Sequence, residues 1–456
     1  MSDILKLVGN TPLVEITHFD TGPCRLFVKL ESQNPGGSIK DRMALAMVEA
    51  AEKSGALKQG GTIVEATAGN TGLGLALIGA LKGYKVVLVI PDKMSREKVL
   101  HCKALGADVR MARSDVTKEH PDYYQNIAER IAKETGGFYI NQFANPVNAE
   151  AHEKTTGPEI WEQMNHDVDA VVCGVGSGGT LTGIGRFLKK VSPKTEMVLA
   201  DPAGSILEPL FNRGEKVEAG SWVIEGIGED FVPPVMDMSL VKRAYSVTDE
   251  ESLAAARELL VKEGILAGTS SGTLFAAALK YCRAQKSPKR VVSLVCDRGD
   301  KYLSKTFSDF WMTEHGFRKR NLTNTVEDLV VRRHDQGDTV IVRPTDTLLT
   351  AYKRMRVADV SQLPVVDEAG RLAGIVDESL LLKYMEQVAA RQDVAVGEIM
   401  KPAPAKLACT ASLDEAAALL EDNPMIVVTE NEKLIGLVTR IDLLNHFVMK
   451  AQGKAA

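Results

Sequence analysis

The sequence holds little cysteine, no apolar run long enough to cross a bilayer, and no surplus of basic charge. Its six cysteines (Cys24, Cys102, Cys173, Cys282, Cys296 and Cys409) are spread over 456 residues. None forms a C-x-x-C pair, so neither a zinc site nor a redox couple is encoded locally and no metal is expected. Scattered single cysteines are expected to be reduced and mostly packed as small apolar groups, which suits a cytoplasmic chain. Apolar runs such as residues 86–90 are strand-sized, far below the roughly 18 residues a spanning helix needs. The opening Met-Ser-Asp-Ile-Leu-Lys lacks the basic and apolar regions of a signal peptide, so no membrane association is expected. Lys and Arg number 55 against 60 Asp and Glu, a formal net charge of -5. That balance gives no reason to expect nucleic acid as a partner.

What the chain does have is length, glycine and alternation. At ~100–200 residues per domain, 456 residues are too many for one core. From about residue 60 to 300, short β-rich runs alternate with helical stretches. Residues 62–66, 85–90, 107–112, 170–174, 197–200 and 290–295 read as strands, and 73–81 and 95–105 as helices. Near-continuous apolar strands separated by helices indicate open parallel sheets covered on both faces. Such sheets bind ligands beyond the carboxyl ends of their strands.

After Trp311 the character changes. Residues 316–320 are basic and polar, 321–324 turn-like, and a repeat then begins. Residues 365–376 (VVDEAGRLAGIV) realign onto 427–438 (VVTENEKLIGLV). Each copy reads as strand, tight turn, strand and amphipathic helix. Upstream, Thr345, Leu348, Ala351 and Met355 answer to Thr410, Leu413, Ala416 and Leu420 at helical spacing. Two copies suit a pseudo-symmetric pair in which each half buries the other's sheet. The divisions expected are a core over 1–315, a linker over 316–325, and repeats over 326–390 and 391–456.

Four segments carry chemistry. Lys40 follows Asn-Pro-Gly-Gly, where small residues let a planar ligand approach, and a lysine so placed can form a Schiff base. Residues 65–72 (EATAGNTG) lie between a strand and a helix, where amides and the Thr67 and Thr71 hydroxyls surround an anion or simply make a tight turn. Residues 174–180 (GVGSGGT) offer a nest of backbone donors suited to phosphate. Their spacing also satisfies G-x-G-x-x-G, with Asp201 near the expected ribose position, which leaves a dinucleotide as an alternative. Residues 268–273 (GTSSGT) open another helix, where hydroxyls serve as caps or as ligands.

In this order the segments resemble the β-family of pyridoxal-phosphate enzymes, over roughly residues 5–312. The resemblance implies a tryptophan-synthase-β-like core of two open parallel α/β subdomains with pyridoxal 5'-phosphate as cofactor. It further implies that Lys40 holds the cofactor and acts as general acid and base, and that Asn70 meets the ring oxygen. Gly176, Ser177, Gly178, Gly179 and Thr180 would hold the phosphate, and Ser270 would face the pyridine nitrogen. Thr67, Gly69, Thr71 and Gln142 match positions that bind the substrate α-carboxylate.

The repeated half resembles a tandem CBS-domain (Bateman) module, an α+β unit. Together with the core it implies the branch of the family that joins L-serine, or O-acetylserine, to the thiol of L-homocysteine. Sulfide as acceptor, dehydration of serine and a non-enzymatic adenylate sensor are the alternatives. Animal members carry a haem segment, whereas no Cys or His precedes His18 here, so no haem is expected. Ala68 and Phe143 stand where many relatives have hydroxyl residues, which leaves serine and O-acetylserine both open. In Bateman modules a Gly-h-x-Thr/Ser-x-x-Asp run binds adenosyl compounds. Gly436, Thr439 and Asp442 fit it, which implies S-adenosylmethionine or an adenine nucleotide. The first copy has Asp377 and Leu380 at those places, and an interface role for the pair is the alternative. A homodimer or higher homo-oligomer is expected.

Overall fold

The computed structural model describes residues 3–67, 69–92, 94–117, 119–318, 322–387, 394–402 and 405–451. Ala68, part of the linker and the 390/391 junction of the repeats lie outside the described residues. The chain divides into two compact units, residues 1–307 and 308–456.

In the first unit the strands are β1 (Leu13–Glu15), β2 (Arg25–Lys29), β3 (Thr62–Ala66), β4 (Lys85–Pro91), β5 (Asp108–Ala112), β6 (Phe138–Tyr139), β7 (Ala170–Gly174), β8 (Glu196–Pro202), β9 (Val241–Val247) and β10 (Arg290–Leu294). The helices are α1 (Lys40–Ser54), α2 (Asn70–Lys82), α3 (Arg96–Ala104), α4 (Tyr124–Thr135), α5 (Val147–Lys154), α6 (Thr156–Gln163), α7 (Gly179–Val191), α8 (Leu207–Arg213), α9 (Asp249–Glu263) and α10 (Thr269–Arg283).

Two sheets result. The smaller, β5-β4-β3-β6, is wholly parallel. Alternate residues feed its two faces, as a pleated strand requires. Ile63, Leu88 and Ile90 pack with Met43 and Val48 of α1 and Leu73 and Leu75 of α2. Val64, Ala66 and Val89 pack with Ala128 and Ala132 of α4. The larger, β1-β2-β10-β7-β8-β9, is parallel apart from the β1–β2 pair. β2, which the sequence reading did not place, pairs with β10, so the N-terminal segment completes the larger sheet.

Each sheet reverses strand order once. The reversal lies between β3 and β6 in the smaller and between β7 and β10 in the larger. Loops leaving such neighbouring strands diverge and open a crevice at their carboxyl ends.

In the second unit, α11 (Asp309–Glu314), which the sequence reading assigns to the core, precedes α12 (Leu348–Ala358), β11 (Gln362–Val366), β12 (Leu372–Asp377), α13 (Glu378–Gln387), α14 (Val396–Ile399), β13 (Lys406–Ala408), α15 (Leu413–Asp422), β14 (Met425–Glu430), β15 (Lys433–Thr439) and α16 (Arg440–Ala451). The expected helix repeat starts later than Thr345 and Thr410. Thr347 and Ser412 cap α12 and α15 through their hydroxyls, which fixes both starts beyond those threonines. Val366 and Ile375 of one repeat share a core with Met425, Val427 and Leu434 of the other.

The packed halves are offset from the sequence repeats. Val326, Leu329 and Val330, at the start of the first copy, lie in the core of the second. Val396 and Ile399, from the start of the second, lie in the core of the first. The matched glycines explain how. A Cβ on Gly374 would meet Lys401 O at 2.6 Å, and one on Gly436 would meet Arg332 O at 2.8 Å, each on an exchanged segment.

Candidate active site

Both crevices of the first unit open into one cleft of about 890 Å3. The first turns of α1, α2, α7 and α10 line it through Lys40, Asn70 and Thr71, Thr180, and Ser270. None of these four helices has a side-chain cap. The Lys40 amide goes to Ser38 Oγ and the Gly72 amide to Thr67 Oγ1, and the other first-turn amides and positive dipole ends remain available to an anionic ligand.

Lys40 starts α1. The loop before it is held by Asp41, whose carboxylate accepts the Gly36 N–H at 2.5 Å, and by Ile39, whose N–H donates to Cys296 O at 2.8 Å. Gly37 is left-handed (φ +75°), and a Cβ there would lie 2.9 Å from Arg298. Burial pushes the Lys40 amine below the usual lysine range, opposed by the negative charges of Glu229 and Asp297. Arg42, two residues on, anchors the helix. It donates to both oxygens of Glu31 and both of Glu159 at 2.6–2.7 Å, and Lys29 reaches Glu159 at 2.7 Å.

Thr67 leaves β3, and its hydroxyl accepts from the Gly69 and Gly72 amides at 3.0 and 3.3 Å, shaping the turn into α2. Thr71 donates to Gln142 Oε1 at 2.7 Å, and Gln142 Nε2 donates back to Ala66 O at 3.2 Å. Thr67, Gly69, Asn70, Thr71 and Gln142 therefore stand together at the β3–β6 reversal, all lining the cleft. Beneath them Glu65 is fully buried, and burial raises its carboxyl to about 8.

The loop after β7 brings Gly176, Ser177, Gly178 and Thr180 to the cleft. Gly178 is left-handed (φ +87°), and a Cβ there would lie 2.7 Å from Met236. Gly179, next in the loop, backs onto Asn148, whose side-chain amide a Cβ there would strike. Asn148 donates to Ser177 Oγ at 2.9 Å and to Gln142 O at 2.8 Å, linking the two loops. Buried His152 bridges Thr180 Oγ1 at 3.2 Å and Thr156 Oγ1 at 2.8 Å.

Asp201 is not placed for a ribose. It is fully buried, accepts the Glu208 N–H at 2.8 Å and does not line the cleft. The sequence reading also missed the segment after β10, where Asp297, Lys301 and Tyr302 are buried around Asn70. Its signal was position, since it follows a strand's carboxyl end as the loops after β3 and β7 do. Cys296, expected to be a core residue, lines the cleft, and burial pushes its thiol up to about 12. Outer walls come from Tyr123, Tyr124, Phe143 and Phe231, the last two with ring centroids 5.5 Å apart.

The donor set fits pyridoxal phosphate. A phosphate meets amides, the Ser177 and Thr180 hydroxyls and no carboxylate on the loop that receives it, with an amine across the cleft at Lys40.

In the second unit Asp442 accepts both the N–H and the hydroxyl of Thr439, at 2.7 and 2.5 Å. In the first repeat Asp377 accepts the Leu380 N–H at 2.7 Å and pairs with Lys401 at 3.0 Å.

The family profile "Pyridoxal-phosphate dependent enzyme" matches residues 4–297, and "CBS domain" matches residues 326–387 and 396–448. The chain is 34% identical to a cystathionine beta-synthase of Apis mellifera over 99% of this chain and 91% of that one. It is 35% identical to one of Dictyostelium discoideum over 100% and 93%. Among solved structures, a hydrogen sulfide-producing enzyme from Fusobacterium nucleatum is similar at 39% identity and TM-score 0.62, covering 66% of this chain and all of the other.

Proposed function

This chain belongs to the pyridoxal-phosphate-dependent enzymes, and we propose that it catalyses the reaction its cystathionine beta-synthase relatives are named for. The hydroxyl of L-serine, or the acetate of O-acetylserine, is replaced at the β-carbon by the thiol of L-homocysteine, giving cystathionine. The observation that carries this reading is the meeting of Lys40, Asn70, Ser270 and an unencumbered phosphate nest in one cleft, in a chain that matches those relatives over both units.

Lys40 would hold the cofactor covalently, Asn70 would contact its ring oxygen, and Gly176, Ser177, Gly178, Gly179 and Thr180 would surround its phosphate. Ser270 would face the pyridine nitrogen with a neutral hydroxyl. When bound, pyridoxal phosphate supplies an electron sink for charge developing at the substrate α-carbon. The chain supplies the proton transfers. A depressed amine at Lys40 is available to remove the α-proton and later return it. Thr67, Gly69 and Thr71 at the positive end of α2, with Gln142 bonded to Thr71, would receive the α-carboxylate. Cys296 stays a thiol at neutral pH, because its value lies near 12, and does not compete with the incoming nucleophile. No step here uses haem.

Sulfide in place of homocysteine is the second reading for the acceptor, since every cofactor residue named above would serve both reactions alike. Thr439 and Asp442 would form a site for S-adenosylmethionine or an adenine nucleotide, and the protein would act as a homodimer or higher homo-oligomer. Among the described residues no helix is long and apolar enough to cross a membrane.

A product assay with serine or O-acetylserine tests the function. Cystathionine formed faster from homocysteine than cysteine from sulfide supports it, and the reverse order overturns it. Lys40→Ala is expected to lose both the visible absorption of the bound cofactor and turnover; full activity in that variant would sink the assignment.

A further inference from the structure

Lys301 lies on the short 3-10 turn Gly299–Tyr302 after β10, is only 5% exposed, and has no role in the chemistry above. A buried ammonium needs partners for its three protons. Lys301 has three: Gly36 O at 3.2 Å, Gly37 O at 3.0 Å and Asn70 Oδ1 at 3.0 Å. The two carbonyls belong to the loop that presents Lys40. The third acceptor is the side chain read above as the contact to the cofactor's ring oxygen.

The other end of that amide is held as well. Asn70 Nδ2 donates to Asp297 Oδ2 at 2.7 Å, and the same oxygen accepts the Tyr302 hydroxyl at 2.6 Å. Asp297 is fully buried and also places a negative charge near Lys301, opposing the effect of burial on that amine. An amide whose oxygen receives an ammonium and whose nitrogen gives a proton to a carboxylate cannot reverse without losing both bonds. One N–H of Asn70 remains, on a residue that lines the cleft.

We propose that Lys301 is a positioning residue: with Asp297 it fixes the Asn70 amide, and through Gly36 and Gly37 it ties that amide to the Lys40 loop. The point of cofactor attachment and the donor to its ring oxygen are thereby held at one spacing. The proposal rests on the reading of Lys40 and Asn70 given above.

The test is a double-mutant cycle on the full chain: wild type, Lys301→Met, Asn70→Ala and the double variant. At each corner the readouts are the dissociation constant of pyridoxal phosphate by fluorescence titration and the absorption maximum of the bound cofactor. Thermal melting reports folding separately. Lys301→Met is expected to weaken binding roughly 10- to 100-fold, the scale of a lost charged hydrogen bond, and to shift the maximum. On the Asn70→Ala background the same change should cost no more than roughly 2-fold. Equal losses on both backgrounds, or an unshifted maximum in Lys301→Met, overturn the proposal. If Lys301→Met does not fold, Lys301→Gln takes its place under the same two criteria. Wild-type protein that fails to bind pyridoxal phosphate would instead overturn the reading of the cleft, and this proposal with it.

Discussion

Arg42 shows how much of the site's geometry depends on a residue that touches no ligand. Its guanidinium is 2% exposed and grips Glu31, itself wholly buried, and Glu159. Removing one partner of a buried ion pair leaves the other uncompensated, which costs about 3–5 kcal/mol. Arg42→Met is therefore expected to lower stability by about that amount, measured by denaturant unfolding with cofactor absent. Burial raises the Glu159 carboxyl, but the hydrogen bonds and charges of Arg42 and Lys29 bring it down to about 2. A depressed carboxylate stabilises the fold fully above its ordinary value of 4.5 and progressively less as pH falls from there through about 2. Glu159→Gln should flatten that part of the acid-unfolding curve. The sequence made Lys40 legible because Asn-Pro-Gly-Gly before it is an unusual local pattern. It left Arg42, Asp297 and Lys301 illegible, because their importance lies in partners far along the chain: Glu159 is 117 residues from Arg42, and Asn70 is 231 from Lys301.

At the scale of elements, β3, β4, β5, β7, β8 and β10 were readable from apolar runs bounded by turns, and β3 and β7 fall where expected, whereas β1, β6 and β9 were not placed. Nor was β2, since five residues reading Arg-Leu-Phe-Val-Lys carry no period that distinguishes an inner strand from a short loop. The glycine loops were legible as loops, but which glycine faces the ligand required the helix behind it. Gly178 combines a left-handed backbone with contact against Met236, while Gly214 is left-handed with open space around it. Gly178→Ala is accordingly expected to weaken pyridoxal phosphate binding about 10-fold or more, as strain and a shifted loop add. Gly214→Ala, carrying only the backbone cost, should bind as wild type does. Fluorescence titration of the two variants checks the difference.

Over the whole molecule, the sequence repeat disclosed the second unit but not its exchange of segments, because the repeated letters lie in the strands and the crossing pieces lie outside them. The two repeats also differ in chemistry. Asp377 is occupied by Lys401, whereas among the described residues Asp442 accepts from the N–H and hydroxyl of Thr439 beside it. Calorimetry with S-adenosylmethionine, AMP and ATP should therefore show a single site per chain for at least one of them, abolished in Asp442→Ala. Heat from none of the three would leave the module with an interface role.

The pairing of β2 with β10 has a consequence for how the chain is made. The smaller sheet draws its four strands from residues 62–139 and can assemble once that stretch has left the ribosome. The larger sheet joins residue 25 to residue 290, a contact that must wait for nearly all of the first unit to be synthesised. Pairings of such high sequence separation are slow to form and leave strand edges exposed meanwhile. Until β10 arrives, β2 is paired with β1 alone and its other edge stays open. The protein's most vulnerable interval thus falls during translation, when one sheet is complete and the other still lacks its inner strand.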